Sequence, residues 1–338
     1  MVAFPEETHR TGSRMKAVIC RAYGPPASLV VEDLPTPLPQ PGEIVVAVKA
    51  AGVNFPDTLI VQGKYQFKPE PPFSPGAEIA GVVAATGDGV TDFAVGDRVA
   101  ASMLWGCYRE SVAVPATAAY RVPEGVSDTI AAAVTLTYGT VYHGLKDRAQ
   151  LRAGETLLVL GAAGGVGLAA VELGRLMGAR VIAAASSEDK LATCRRYGAD
   201  ATIDYEREDL RAALKRIAGE RGVDVVCDPV GGRYSEPAFR SIAWNGRHLV
   251  IGFASGEIPR LPLNLTLLKG AAVVGVFWGQ FARLDPAAHR ANMDQVMAWI
   301  AAGRLQPLVS KTYPLAQAAA ALDDMMHRRV HGKVVLTA

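Results

Sequence analysis

The residues most able to do chemistry lie together in one short stretch, GVNFPDTLIVQGKY (residues 52–65), where Asn54, Asp57 and Tyr65 stand among apolar neighbours. The stretch contains no histidine, cysteine or serine, so it lacks the usual nucleophiles of covalent catalysis. A phenol or an amide can instead donate a hydrogen bond to an oxygen that gains negative charge. The spacing therefore predicts a catalytic site at Tyr65, Asn54 and Asp57 whose reactive group comes from elsewhere.

A glycine-rich turn, GAAGGVG (161–167), predicts where that group binds. It follows the strand-like LLVL and precedes the helical pattern LAAVELGRLMG. Glycines let the backbone approach a diphosphate, and the helix N-terminus offers free N–H groups and the positive end of a dipole. Ala162 replaces the first glycine of the GxGxxG pattern, while Gly164 and Gly167 keep the other two places. A turn that only packs strand on helix is the alternative, but the five strand-like runs that follow favour a dinucleotide.

The end of the second strand of this unit indicates which dinucleotide binds. An acid there would hydrogen-bond the ribose 2′-hydroxyl and repel a 2′-phosphate, but the strand ends in Ala184, Ala185 and Ser186. In SSEDK the acids are typical of the first turn of a helix capped by Ser186. Ser186 and Lys190 are then free to bind the additional phosphate, which favours NADPH. An ordinary solvated lysine is the alternative interpretation of Lys190.

The elements around these motifs predict an α/β protein of two domains with a cleft between them. A chain of 338 residues is longer than the usual size of a domain with a single hydrophobic core. Short β-branched runs cut by Gly and Pro, up to about residue 134, predict a partly open β-barrel. Strands alternating with helices after about residue 136 predict a six-stranded, doubly wound parallel sheet. The predicted segments are an N-terminal extension (1–14, or a start codon placed too early), a catalytic domain (15–137), an NADP-binding domain (138–277) and a return to the catalytic domain (278–338).

Composition excludes several function classes. Lys and Arg are scattered among Asp and Glu and the net charge is +2, which argues against nucleic-acid binding. The four cysteines are far apart, so neither a disulfide framework nor a zinc knuckle is indicated. No apolar run approaches the roughly 18 residues of a membrane span, and no signal-peptide core is present at the start. We therefore expect a cytoplasmic protein that is not bound to a membrane.

The chain resembles the medium-chain dehydrogenases/reductases, and among them the zinc-independent, zeta-crystallin-like branch of quinone oxidoreductases. The resemblance covers residues 15–338 and is carried by an ordered set of pieces: MKAVICRAYGPP, GVNFPDTLIVQGKY, PGAEIAGVV, GDRVAA, YGTVYHGL, GAAGGVG, ATIDYEREDL, VCDPVGG, VIGFASG, GVFWG and GKVVL. It implies a GroES-like barrel domain joined to a Rossmann domain.

The resemblance also implies that no metal takes part. The zinc enzymes of this superfamily have a cysteine where this chain has Asn54, and a GHE motif where it has Gly76, Ala77 and Glu78. Nothing resembling the four-cysteine structural lobe lies between residues 96 and 120. Two carboxylates, Asp57 and Glu78, would be a poor zinc site, so we expect Glu78 to be a buried, hydrogen-bonded structural carboxylate.

The family pattern implies a set of cofactor contacts. Asn54 and Thr140 match residues that face the nicotinamide and its ribose. The remaining implied contacts are the diphosphate loop Gly164, Gly165 and Val166, the 2′-phosphate group Ser186, Lys190 and Tyr205, and the covering residues Phe253, Ser255, Phe277 and Lys333. The aromatic residues Trp105, Tyr138 and Trp278 are compatible with a pocket or with a core.

Three functions remain open from the sequence. The first is NADPH-dependent hydride transfer to a quinone, with Tyr65 as hydrogen-bond donor and Asn54 orienting the ring. The second is reduction of a C=C bond in an enoyl-thioester or alkenal, since that branch has a similar motif. The third is a non-catalytic, crystallin-like NADPH-binding protein. The apolar run 271–278 would expose a sheet edge in a monomer, which predicts a homodimer.

Overall fold

The β-strands of the protein form three sheets in the computed structural model, which describes residues 13–338. A two-stranded sheet contains β1 and β2, a parallel sheet contains β8 to β13, and a larger barrel sheet contains β3 to β7 with β14 and β15. Residues 1–12 of the predicted extension lie outside the described residues, and Arg14 already begins β1. The predicted pair of folds, a GroES-like domain and a Rossmann-like domain, is confirmed, and the barrel sheet is not closed.

The strands run in chain order as β1 Arg14–Ile19, β2 Val30–Pro35, β3 Glu43–Val53, β4 Glu78–Thr86, β5 Arg98–Ser102, β6 Ser111–Pro115, β7 Ala119–Arg121, β8 Thr156–Leu160, β9 Arg180–Ala185, β10 Ala201–Asp204, β11 Val223–Asp228, β12 Ile242–Val250, β13 Ala272–Gly275, β14 Val309–Pro314 and β15 Lys333–Thr337. The predicted six-stranded parallel sheet consists of β8 to β13, whereas β7 is short and β14 is largely exposed.

The helices are α1 Phe55–Ile60, α2 Asp128–Tyr142, α3 Gly165–Leu176, α4 Glu188–Arg196, α5 Leu210–Ala218, α6 Ser235–Arg240, α7 Asn264–Lys269, α8 Trp278–Leu284, α9 Pro286–Ala301 and α10 Ala318–Met326. A π-helical turn, His143–Arg148, extends α2. None of the helices within residues 13–338 is long and apolar enough to cross a membrane.

The parallel sheet has the strand order β10-β9-β8-β11-β12-β13, so the chain winds outward from β8 in both directions. This is the doubly wound order in which ligands bind at the carboxyl ends of the central strands. The central strands are apolar along their length, and Leu157 to Leu160 of β8 are fully buried. Such continuous apolar runs form strands that helices cover on both faces.

The barrel sheet is organised around β3, whose eleven residues pair with three other strands. It is antiparallel to β4, to β6 and to β15, the last of these through pairs such as Val53 with Val334. Since β15 follows every element of the parallel sheet in the chain, the tail has returned to the barrel sheet.

A short segment that leads into β15 and includes its first residue, residues 328–333, passes from the parallel sheet to the barrel sheet, and we call it the strap. The amide of Gly332 donates to the carbonyl of Ala163, 2.8 Å away in the turn after β8. The Nε2 atom of His331 lies 3.2 Å from Oδ2 of Asp189 in α4. The strap therefore ties the barrel sheet to the carboxyl end of the parallel sheet, where the cleft opens.

Candidate active site

The turn after β8 has the shape of a diphosphate cradle. Gly161 adopts a φ of +60°, which a residue with a side chain rarely adopts. A Cβ atom on Gly167 would lie 2.2 Å from the carbonyl oxygen of Gly161, and one on Gly165 would lie 3.0 Å from Cδ of Lys333. Glycine is therefore required where the backbone folds tightly in front of α3. The free N–H groups at the start of this twelve-residue helix face the space that the turn keeps open.

A cavity of about 600 Å³ begins at this turn and continues between the two sheets. Most of the predicted site residues line it: Tyr65, Thr140, Gly164, Gly165, Val166, Ser186, Lys190, Tyr205, Phe253, Ser255 and Phe277. Asn54, Asp57 and Lys333 lie behind the wall, each at most 3% exposed. Direct contact of these three side chains with a cofactor stays a prediction.

One end of the cavity carries positive charge suited to a phosphate. The Nζ atom of Lys190 donates to Oγ of Ser186 at 3.2 Å, and both line the cavity. Burial lowers the pKa of Lys190, and the neighbouring Arg328 lowers it further. A phosphate dianion between two cations would favour their charged forms and accept hydrogen bonds from both. Ser187, not the predicted Ser186, occupies the N-cap of α4, which leaves the Ser186 hydroxyl available at the cavity.

The sequence patterns did not predict two arginines that lie at this end of the cavity. Arg328 lies on the strap and Arg233 follows β11, and both line the cavity beside Tyr205. Arg233 is engaged by Glu206, at 2.6 Å, so Arg328 is the cation that faces Lys190 without a carboxylate partner among the described residues. No local motif marks Arg328, because only the return of the tail to the barrel sheet brings it to the cleft.

A buried polar network lies beneath the other part of the cavity. Lys333 donates to Oε1 of Glu78 at 2.7 Å and to Oδ1 of Asn54. The amide of Asn54 in turn donates to Glu78 at 2.8 Å, and its backbone N–H donates to Oδ2 of Asp57 at 2.8 Å. Asp57 also accepts from the hydroxyl of Tyr108 at 2.8 Å. Glu78 is thus the buried structural carboxylate that the sequence predicted, and Lys333 is its counter-ion.

This network does not fit a zinc ion. Both polar atoms of the Asn54 amide are used by Lys333 and Glu78. A metal cation here would lie next to the Lys333 ammonium, and their repulsion in a buried site would be strong. Among residues 13–338, no group of three or more His, Cys, Asp or Glu side chains is arranged to hold a metal.

Burial raises the pKa of two groups at the cavity wall, the Asp57 carboxyl below it and the Tyr65 phenol in it. It raises the pKa of Asp57 to about 7, against the opposing effects of the Asn54 N–H, the Tyr108 hydroxyl and the Lys333 charge. The second carboxylate oxygen of Asp57, Oδ1, is buried and has no partner among the described residues. Burial, and secondarily the charge of Asp57, also raises the pKa of Tyr65, so its phenol keeps its proton at neutral pH and is available as a donor.

The opposite end of the cavity is apolar. Its lining residues are Phe55, Pro56, Ile60, Tyr65, Phe67, Ala77, Met103, Leu104, Leu136, Phe277, Trp278, Met325 and Val330. Of the three aromatic residues left open by the sequence, Trp278 lines this end. Tyr138 donates to Glu172 in the core, and Trp105 packs against the core of the barrel sheet. The cavity thus joins an anion-binding end to an apolar chamber in which the Tyr65 phenol offers a hydrogen bond.

Comparison with known proteins identifies the family. Residues 40–124 match the alcohol dehydrogenase GroES-like domain, and residues 165–302 match the family described as zinc-binding dehydrogenase. The quinone oxidoreductase-like protein 2 homolog of Nematostella vectensis is 41% identical over 325 residues, which are 95% of this chain and 88% of that protein. The chain belongs to the medium-chain dehydrogenases/reductases, in their zinc-independent, quinone oxidoreductase-like branch. The Bos taurus quinone oxidoreductase-like protein 2 is 36% identical over 328 residues, 96% of this chain and 93% of that protein.

Solved structures of this family show the cofactor. The Escherichia coli quinone oxidoreductase complexed with NADPH has a TM-score of 0.90 and 30% identity, over 96% of this chain and 100% of that chain. A mycobacterial protein complexed with NADPH has a TM-score of 0.90 and 31% identity, also over 96% of this chain and 100% of that chain. Together with the cradle and the cationic end of the cavity, these matches show that this quinone oxidoreductase-like protein is an NADPH-binding oxidoreductase.

This quinone oxidoreductase-like protein also matches part of a much larger enzyme. A mycocerosic acid synthase-like polyketide synthase of Mycobacterium tuberculosis is 35% identical over 302 residues, which are 88% of this chain but 14% of that protein.

Proposed function

We propose that the protein transfers a hydride from NADPH to a quinone. The observation that carries this proposal is the shape of one cavity, which joins a phosphate-binding end to an apolar chamber with the Tyr65 phenol in its wall. Bound NADPH supplies the hydride itself. The chain then has to hold the two reactants together, exclude water and stabilise charge on the acceptor oxygen.

The residues of the chamber meet these needs. The raised pKa of Tyr65 keeps its hydroxyl protonated, so it can donate a hydrogen bond to an oxygen that becomes negative. The apolar lining removes water and strengthens that hydrogen bond. The Lys333–Glu78 pair beneath the wall fixes Asn54, the N-cap of α1, and so sets the direction in which the chain leaves β3 towards Tyr65.

The charge distribution favours a neutral acceptor. Neither lysine nor arginine is found among the lining residues of the apolar end, whereas Lys190, Arg233 and Arg328 all lie at the cofactor's phosphate end. A quinone needs no cation in the chamber, but the phosphates of a coenzyme A thioester would need partners. A neutral quinone therefore fits the chamber better than an enoyl-CoA.

Reduction of the C=C bond of an enoyl-thioester or alkenal is the second candidate. A relative that matches 88% of this chain is named a mycocerosic acid synthase-like polyketide synthase, and an acid synthase favours an acyl substrate over a quinone. The chamber is apolar enough for an acyl chain, and Tyr65 could donate to a thioester carbonyl in the same way.

One comparison of acceptors separates these candidates. NADPH oxidation is followed at 340 nm with 9,10-phenanthrenequinone, with crotonyl-CoA and with a simple alkenal. We expect turnover with the quinone and at least tenfold lower kcat/KM with the other two. Preference for crotonyl-CoA would replace the proposal with the second candidate, and NADPH binding without turnover on any acceptor would favour a non-catalytic protein.

We also propose that the protein is a homodimer joined through β13. This strand is the outer edge of the parallel sheet, and Val273 on it is 46% exposed. Leu267 and Leu268 in the preceding helix α7 are 80% and 67% exposed. Pairing with a second copy would cover both the strand edge and this apolar surface. Light scattering at micromolar concentration should give twice the chain mass for the wild type and a smaller mass for Val273→Lys; a monomeric wild type would contradict the proposal.

A further inference from the structure

Two phenylalanine rings meet across the mouth of the apolar chamber. Phe67 belongs to the loop after α1 on the barrel side, and Phe277 precedes α8 at the end of the parallel sheet. Their ring centroids are 6.1 Å apart and their planes are inclined by 18°. The Tyr65 ring also contacts Phe67, with a centroid separation of 6.1 Å, so the proposed hydrogen-bond donor is next to this pair.

The two rings already lie in the range of an aromatic contact. A centroid separation of 6.1 Å with planes inclined by 18° falls within the roughly 4.5–7 Å of offset and stacked pairs. Each stacked face needs about 3.5 Å, so a planar ring enters only when the two rings move apart. A saturated chain is thicker than an aromatic layer, and a fused ring system offers the phenyl faces more stacking area than a single ring does.

Phe67 and Phe277 differ in the secondary structure that surrounds them. Phe67 is half-buried in a segment of turns and bends without strand or helix hydrogen bonds. Phe277 is 47% exposed, but the backbone that carries it continues into α8, where Trp278 is buried. We therefore expect the pair to open by a movement of the Phe67 loop, while Phe277 stays with the backbone that leads into α8.

We infer that Phe67 and Phe277 form an aromatic clamp that selects planar, fused-ring acceptors over single-ring and open-chain ones. The clamp holds an acceptor by stacking on both faces and places its edge beside Tyr65. This inference rests on the proposed reduction of quinones for its substrate class, whereas the clamp itself is a binding feature that can be measured without turnover. It assigns the Phe277 ring to the acceptor, although the family resemblance assigned that residue to the cofactor.

Leucine substitutions test the clamp. For Phe67→Leu and Phe277→Leu, we expect kcat/KM with 9,10-phenanthrenequinone to fall about tenfold and kcat/KM with 1,4-benzoquinone to fall less than threefold, because the fused rings have the larger stacked area to lose. Phe67→Tyr keeps the ring and should retain the preference for the fused-ring quinone. Trp244→Leu removes an aromatic side chain that is 70% exposed and outside the cavity, and it is the matched control.

A ligand that cannot react separates the clamp from the proposed function. Phenanthrene has the same three rings but no carbonyl, and its own fluorescence reports binding to the protein with NADP⁺ present. We expect its Kd to rise about tenfold in both leucine variants, and the Kd of NADPH to change less than twofold. This result would support the clamp even if no quinone were reduced. Equal losses with both quinones, unchanged phenanthrene binding, or a parallel loss of NADPH affinity in Phe277→Leu would overturn it.

Discussion

The buried pair of Lys333 and Glu78 makes a quantitative prediction about stability. Its side chains are 4% and 0% exposed, and the charged atoms are 2.7 Å apart. In Lys333→Met the stem is retained but the carboxylate loses its counter-ion in a buried site. Removing one partner of such a pair costs about 3–5 kcal/mol, because the remaining charge is desolvated without compensation. We expect this loss in the free energy of unfolding.

Urea unfolding followed by circular dichroism measures the effect. With a slope near 3 kcal/mol per M, a loss of about 3–5 kcal/mol lowers the midpoint by roughly 1 to 1.7 M. The double variant Glu78→Gln with Lys333→Met removes both charges, and the Asn54 amide can turn so that Oδ1 accepts from the new glutamine. We expect the double variant to regain at least half of the loss.

Two outcomes would refute this reasoning. If Lys333→Met cost less than about 1 kcal/mol, the carboxylate would not depend on the ammonium, as in an exposed pair. If the double variant lost as much as the two single variants together, the charges would not be coupled. In either case the network would not be the electrostatic unit described above.

Three further predictions concern the cofactor, the donor and the buried acid. Lys190→Ala and Arg328→Ala should each raise the Kd of NADPH by roughly ten- to a hundredfold and that of NADH less than threefold in fluorescence titrations; equal losses would show that neither reads the 2′-phosphate. Tyr65→Phe should slow single-turnover reduction of an enone about 10²-fold but that of a quinone less than tenfold, since an aromatic product delocalises the charge; no loss on either acceptor would make Tyr65 a packing residue. The folded-state pKa of Asp57, about 7, exceeds the unfolded value of about 3.9, so its contribution to stability is greatest below about pH 4 and is lost as the pH rises to about 7. Asp57→Asn should therefore flatten the decline of stability over that range in urea titrations, and an unchanged decline would show that Asp57 titrates normally.

Much of the fold was predictable because its signals are local. Continuous apolar runs identified the strands of the parallel sheet, and the turn GAAGGVG located the cradle, since both depend on residues next to one another in the chain. The one-residue error at the cap of α4 is also local: Ser186 and Ser187 are adjacent and chemically equivalent, and only the backbone conformation distinguishes them.

The parts of the site that depend on the tail were harder to predict. The pairing of β15 with β3 brings Lys333 to Glu78 and Arg328 to Lys190, and neither pair has a sequence pattern that links its members. The family resemblance implied that Lys333 contacts the cofactor, but it did not indicate that Glu78 is its buried partner. The stacking of Phe67 on Phe277 was missed for the same reason, because it depends on how the two sheets face each other across the cleft.

The place of the strap in the chain has a consequence for protein synthesis. A ribosome completes the parallel sheet and most of the barrel sheet before it adds residues 328–333. Until then Glu78 has no counter-ion, the phosphate loop lacks the hydrogen bond from Gly332, and Arg328 is absent from the cofactor's end of the cavity. A chain released before the strap would lack β15 together with the counter-ion of Glu78, and we expect it to bind NADPH weakly. Because a ligand that binds only the folded state stabilises it, NADPH would favour full-length molecules over prematurely terminated ones, and cellular proteases would remove the latter first.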